Sequence, residues 1–155
     1  MTDLSDLLAP DAVAAGMAAA SKKTLFQLLG GAAARAHGLD AQQVASRLAE
    51  REKLGSTGFG GGVAIPHAKL DGLHRVAGLF VRLDKPIDFA AVDELPVDLV
   101  FALLSPVDAG AEHLKALARV SRRLRDRAFA AKLRGAGSSD ALYALLTGVE
   151  ARDAA

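Results

Sequence analysis

The order of apolar and polar positions divides this chain into short strands and amphipathic helices. Leu4, Leu7 and Leu8 predict a short amphipathic turn or helix stopped by Pro10, and the weakly patterned Ala12 to Met17 predicts a first strand. Ser21 stands where a helix N-cap belongs. Leu25, Phe26, Leu28, Leu29, Ala32, Ala33 and Ala36 follow it with helical spacing until Gly38 ends the helix. Asp40 with Gln43 is an approximate capping box for a second helix, which carries Val44 and Leu48 on its apolar face and runs out near Arg51. Val76 to Leu83 (VAGLFVRL) and Val97 to Leu104 (VDLVFALL) are near-continuous apolar runs of strand length, a pattern of strands covered on both faces. Lys85-Pro86-Ile87-Asp88 and Glu94-Leu95-Pro96 mark the connection between them. Gly110 opens a third helix to about Leu124, predicted to bury Leu114, Leu117, Val120 and Leu124. Asp126 caps a short helix to Leu133, Gly135 to Ser139 reads as a loop, and Asp140 to Thr147 forms a last helix stopped near Gly148.

Strands alternating with helices predict an α/β layer fold with helices on both faces of one sheet. No internal repeat or second domain is visible, so residues 1–155 read as a single domain with its core at about 4–148 and a frayed tail at 149–155. At 155 residues the chain is long enough for a real core, and with 51% hydrophobic but only 5% aromatic residues that core is built from Leu, Val and Ala.

Charge and composition then remove whole classes of function. A formal net charge of +1 gives no electrostatic case for nucleic acid as the main partner. Arg119, Arg122, Arg123, Arg125 and Arg127 form a basic run without interleaved aromatic residues, which reads as a solvated face or a protein-docking rim. The absence of cysteine excludes disulfides and thiolate metal sites. The acidic opening Met-Thr-Asp-Leu-Ser-Asp lacks the basic segment of a secretory signal, and no apolar run approaches the roughly 20 residues needed to span a bilayer. A cytoplasmic protein that is not membrane-embedded is expected.

The candidate chemistry lies between Gly55 and Lys69. Gly55, Gly58, Gly60, Gly61 and Gly62 fall within eight residues, followed by Val63-Ala64-Ile65 and then Pro66-His67. Glycines can bring main-chain N–H groups close to an anion, and Pro66 biases Ile65 towards an extended conformation. This predicts His67 at the end of a small strand beside a loop of N–H donors. A neutral imidazole has a free nitrogen lone pair and can itself be a nucleophile. The alternative is a structural turn with a solvated histidine. Familiar nucleotide motifs are absent: Gly61-Gly62 stands where a P-loop needs Lys and Ser/Thr, and Val63 occupies the last glycine position of a dinucleotide fingerprint. The four histidines show no metal-ligand spacing, so neither metal nor cofactor is expected.

Glu50-Arg51-Glu52-Lys53-Leu54-Gly55-Ser56-Thr57-Gly58, followed by Gly62-Val63-Ala64-Ile65-Pro66-His67, resembles the signature of fructose/mannitol-type enzyme IIA domains. These belong to the bacterial phosphoenolpyruvate-dependent phosphotransferase system. Within that family the chain is similar above all to the stand-alone nitrogen-regulatory enzyme IIA of the nitrogen- and potassium-related branch, over roughly residues 4 to 148. The resemblance implies a mixed, roughly five-stranded sheet flanked by helices. It also implies a phosphotransferase component that accepts phosphate on Nε2 of His67 from a histidine phosphocarrier protein of the HPr or NPr kind. The phosphorylation state would then govern binding to regulatory targets. The alternatives are a sugar-specific component that passes phosphate to an enzyme IIB, and a non-catalytic binding module.

Residue by residue, the resemblance implies that His113, in Glu112-His113-Leu114-Lys115-Ala116-Leu117, helps hold the phosphoryl group. On its own spacing, His113 reads as a surface residue or cap at the start of a helix. Arg51 matches an arginine that offsets phosphate charge; otherwise it is a helix-end cation. Ser56 and Thr57 either donate to phosphate or shape the turn, beside the backbone donors of Gly58, Gly60, Gly61 and Gly62. Phe59 is the candidate docking residue for the carrier, in what is expected to be a shallow apolar depression. Two departures stand out: Phe59 where the family has Ile, and Gly61 where Asn is common. His37 reads as a helix C-terminal residue and His74 as part of a polar turn.

Overall fold

A computed structural model describes residues 4–148. The predicted frayed tail, 149–155, lies outside them. A 3₁₀ turn at Pro10–Ala12 leads into β1 (Val13–Met17), then α1 (Lys22–His37) and α2 (Ala41–Glu52). Three short strands follow: β2 (Gly58–Gly60), β3 (Val63–Ala64) and β4 (His67–Leu70). The long central strands β5 (Ala77–Ile87) and β6 (Val97–Pro106) come next, and α3 (Gly110–Arg125), α4 (Arg127–Gly135) and α5 (Ser139–Thr147) close the fold.

Local chemistry sets most of these boundaries. Ser21, Asp40, Asp126 and Ser138 each cap a helix by accepting backbone N–H groups of the first turn. Gly38 and Gly148 end α1 and α5 in the left-handed conformation. His37 donates through Nε2 to the Gly78 carbonyl, 3.1 Å away, which pins the end of α1 to β5.

The sheet is mixed and runs β1-β5-β6-β3-β2, with β4 also paired to β6. β5 and β6 are antiparallel, whereas β1 is parallel to β5 and both β3 and β4 are parallel to β6. Leu79, Phe80 and Val81 of β5 and Leu99 through Leu104 of β6 are buried at successive positions, so both faces of the centre are covered. α1 packs on β5 and α2, α2 on β4, α3 on β6 and α5 on β1.

The sheet, expected with roughly five strands, has six, because the strand line paired to one side of β6 is split into β3 and β4. Three other expectations need correction. Val63 stands opposite Leu99 and His67 opposite Leu103, so β3 and β4 keep one register across the break at Ile65-Pro66. His67 therefore opens a strand instead of ending one. β5 continues through Lys85 and Pro86 to Ile87, with four residues of β5 (Leu83 to Pro86) set against one of β6 (Asp98) between the pairs Arg82–Leu99 and Ile87–Val97. Such a bulge accommodates a proline that cannot donate. In α3 the buried positions are His113, Ala116, Val120 and Leu124, while Leu114 is 66% exposed. The apolar stripe is rotated by one position, and a histidine takes the place expected for a leucine.

The α1–α2 packing generates a stability test. A methyl at Gly30 would run into the carbonyl oxygen of Ala41, whereas at Gly31 it would meet only the flexible end of Arg35 at 3.5 Å. Overpacking should outweigh helix propensity in Gly30→Ala, a net loss of about 1–2 kcal/mol. Gly31→Ala should gain up to about 1 kcal/mol. Urea unfolding of the two variants measures the contrast, and equal midpoints would contradict the close approach.

Candidate functional site

The break at Ile65-Pro66 creates the local geometry. Pro66 has no N–H, but its carbonyl still accepts from Leu103 and carries the ladder across the gap. Ile65 turns its own N–H to the Thr57 carbonyl, 3.0 Å away. Its carbonyl accepts from the imidazole two residues on, with His67 Nδ1 at 2.9 Å from Ile65 O. A carbonyl can only accept, so the Nδ1 proton is fixed and Nε2 of the neutral ring keeps its lone pair. The sequence did not identify this acceptor.

Burial pushes the His67 imidazole below the ordinary histidine range; the Ile65 carbonyl works in the opposite direction, and the Arg51 charge adds to the lowering. His67 is half-buried, and its ring centroid lies 5.5 Å from that of His113. His113 is buried in the first turn of α3 and its Nδ1 lies 2.6 Å from Ser105 Oγ. Burial also lowers its pKa, helped by His67 and Lys69. The two rings thus meet as neutral groups near pH 7.

Both histidines line a cavity of about 390 Å³ together with Arg47, Glu50, Arg51, Leu54, Ala68 and Lys69. Three cations face one carboxylate there, a balance that suits an anionic group. Arg51 donates to the Gly55 carbonyl at 3.1 Å, which holds one edge of its guanidinium at the end of α2. Arg47 lies one turn earlier on the same helix, and Lys69 lies two residues after His67 on β4. Neither was singled out from sequence, although helical and strand periodicity would each have found one.

The glycine segment does not line this cavity. Thr57 donates its N–H and its hydroxyl to the buried Glu52 carboxylate, the hydroxyl at 2.6 Å. Gly58 N–H is taken by Ser56 Oγ, and Gly61 N–H by Asp93 Oδ2 at 3.0 Å. Gly60, Gly61 and Gly62 all have positive φ and make the turn between β2 and β3. Arg134 donates to the Gly61 carbonyl at 2.8 Å while paired with Asp98. Gly61 needs no side chain to hold the loop, and its φ of +67° is one that Asn also tolerates. The expected cradle of N–H donors is thus largely a self-satisfied turn that supports the strand leading to His67.

Phe59 is half-buried against the core, with the Arg125 guanidinium 5.0 Å from its ring centroid. The exposed apolar residue on the cavity rim is Leu54, with Leu114 next to His113. Much of the basic run is occupied within the chain: Arg119 pairs with Asp6, and Arg123 stacks on Phe129. Among the described residues, no group of three or more His, Asp or Glu is placed to hold a metal ion. Within the same residues no helix is long and apolar enough to cross a membrane.

Residues 6–149 match the family model for the phosphoenolpyruvate-dependent sugar phosphotransferase system, EIIA 2. The chain is 50% identical over 143 residues to the nitrogen regulatory protein of Bradyrhizobium diazoefficiens, covering 92% of this chain and 94% of that protein. Its fold superposes on nitrogen regulatory protein IIA-Ntr from Neisseria meningitidis with a TM-score of 0.85 at 37% identity, over 92% of this chain and 97% of the other. IIA mannitol from Escherichia coli shares the fold, with a TM-score of 0.75 at 21% identity over 90% and 98% of the two chains.

The histidine pair has a thermodynamic signature. Both rings have lowered pKa values in the folded state, so below about 6.5 the unfolded chain binds protons that the native chain resists. Their effect on stability is nil above that pH and grows as pH falls through the window down to the folded values. Chemical denaturation at pH 7.5 and 5.5, both chosen as about one unit either side of the free value, should show an acid loss that shrinks in the His67→Gln/His113→Gln variant. An undiminished loss would place its origin elsewhere.

Proposed function

This chain belongs to the EIIA 2 family of the phosphoenolpyruvate-dependent sugar phosphotransferase system, and from that membership we propose that Nε2 of His67 is its phosphoryl acceptor. It is a phosphoryl-transfer protein of the regulatory kind, in keeping with relatives named nitrogen regulatory protein. The observation that carries the choice of atom is the hydrogen bond from Nδ1 to the Ile65 carbonyl, which leaves Nε2 as the free nitrogen in a cationic cavity.

In the proposed step the donor is a phosphohistidine on a histidine phosphocarrier protein. The Nε2 lone pair of His67 attacks phosphorus in line; the new N–P bond forms as the carrier's N–P bond breaks, and that electron pair returns to the carrier's imidazole. The Nδ1 proton stays in place, and the Ile65 carbonyl stabilises the positive charge that the ring acquires. Arg51, with Arg47 and Lys69 beside it, offsets the charge on the three phosphoryl oxygens. His113 supplies a further hydrogen bond. Ser56, Thr57, Gly58, Gly60, Gly61 and Gly62 act indirectly, as the turn that sets the strand. No metal or nucleotide takes part in this scheme. Leu54, Leu114 and Phe59 offer apolar contact for the carrier, which must come close enough for direct transfer.

Phosphorylated carrier is the reagent that tests this reading. His67→Ala should take no label, whereas His113→Ala and Arg51→Ala should be labelled about 10²–10³ more slowly. His37→Ala and His74→Ala should match wild type. The rate of labelling should fall on the acid side as Nε2 is protonated, with a midpoint below the ordinary histidine value of about 6.5. Stoichiometric label on His67→Ala, or label mapped to a peptide containing His113, would overturn the acceptor.

A further inference from the structure

Ser105 has no place in the step described above, yet it is the polar side chain most completely enclosed near it. It lies on β6 opposite Lys69 of β4 and is fully buried. Paired residues in neighbouring strands point to the same face, so Ser105 shares the face of Lys69 and, two residues back, of His67. This is the face that His113 reaches from the first turn of α3. Among the described residues, the one hydrogen-bond partner of Ser105 Oγ is His113 Nδ1, at 2.6 Å.

That single partner decides the direction of the bond. A neutral imidazole has one N–H and one acceptor nitrogen. If His113 donated from Nδ1, the buried Ser105 hydroxyl proton would have no acceptor, and an unsatisfied buried donor costs about 1–3 kcal/mol. If Ser105 donates instead, both groups are satisfied at that contact. Nδ1 then carries the lone pair and Nε2 carries the proton. With Nδ1 committed to the strand, Nε2–H is the polar group that His113 can offer to the cavity.

We propose that Ser105 is a positioning residue that holds His113 in its Nε2–H tautomer, so that His113 presents a hydrogen-bond donor to the phosphoryl group carried by His67. The two histidines are then fixed in opposite tautomers. Ile65 accepts a proton from Nδ1 of one ring and makes its Nε2 a nucleophile. Ser105 gives a proton to Nδ1 of the other ring and makes its Nε2 a donor. The catalytic half of this proposal rests on His67 being the acceptor, whereas the tautomer itself does not.

Two-bond ¹H–¹⁵N correlation spectra of the unphosphorylated chain read the tautomer directly. At pH 7.5 and above, wild-type His113 should show a pyridine-type Nδ1 and a pyrrole-type Nε2, with the pattern reversed at His67. Ser105→Ala should let the Nδ1–H tautomer of His113 appear and slow labelling of His67 by phosphorylated carrier about tenfold, the worth of one hydrogen bond. Ser105→Cys, nearly isosteric and a weaker donor, should fall between the two on both measurements. A pyrrole-type Nδ1 at wild-type His113, or an unchanged tautomer in Ser105→Ala, overturns the proposal. So does a shifted tautomer with an unchanged labelling rate. The predicted tautomers without any label on His67 would support the Ser105 bond while overturning the acceptor reading.

Discussion

The carbonyl of Ile65 is the constraint on which the site depends. It sits at the point where the strand line beside β6 breaks between β3 and β4, and the break exists because Pro66 can neither donate nor leave Ile65 free to turn helical. The ladder resumes in register at His67, so the chain gains a released carbonyl without losing its place in the sheet. An imidazole two residues on satisfies that carbonyl through Nδ1. One hydrogen bond thereby closes a gap in the backbone accounting and selects which ring nitrogen faces the cavity. If His67 is the acceptor, as proposed, structure and reactivity are set by the same contact.

The rest of the neighbourhood holds that strand in place. Glu52 is buried at the end of α2, where it accepts from both donors of Thr57 and pairs with Lys22 at 3.0 Å. Lys22 also lies 4.3 Å from the Phe89 ring centroid. A buried carboxylate is tolerable only when fully paired, and this one ties the start of α1, the end of α2 and the entry to the glycine segment together. Beyond it, Asp93 and Arg134 grip the turn from two sides. The glycines serve the path of the chain, and the positive charge lining the cavity comes from side chains on α2 and β4.

Electrostatics in the cavity follow from depth. Burial favours the neutral form of each histidine, and each ring lies close enough to the other for a charge on one to oppose a charge on the other. Of the cations that would balance a phosphoryl group, Arg47 and Lys69 are exposed and Arg51 is half-buried, each on a long stem that keeps its charge near solvent. In the proposed step, nucleophile and counter-charge would differ in depth: the imidazoles lie deeper, and the exposed Arg47 and Lys69 lie around them.

Much of this could be read from the chain alone. Helix starts at Ser21, Asp40 and Asp126, and ends at Gly38 and Gly148, depend on neighbours three or four residues away, so local chemistry determined them. The two buried central strands were plain because a run apolar at every position has few other solutions. His67 stood out because glycines, a proline and a histidine in that order have little reason to occur in a core strand. The family signature then extended the reading to Arg51 and His113. What sequence left open were relations between distant segments. The burial of His113 in place of Leu114 depends on how α3 is rotated against β6. The single register shared by β3 and β4 depends on a partner strand more than thirty residues later. Ser105 acquires meaning only where parallel pairing puts it beside Lys69 and under α3, and the N–H groups of Thr57, Gly58 and Gly61 are spent on Glu52, Ser56 and Asp93. Periodicity and capping are written in nearest neighbours along the chain; register, helix rotation and the choice of hydrogen-bond partner are settled only when the sheet closes.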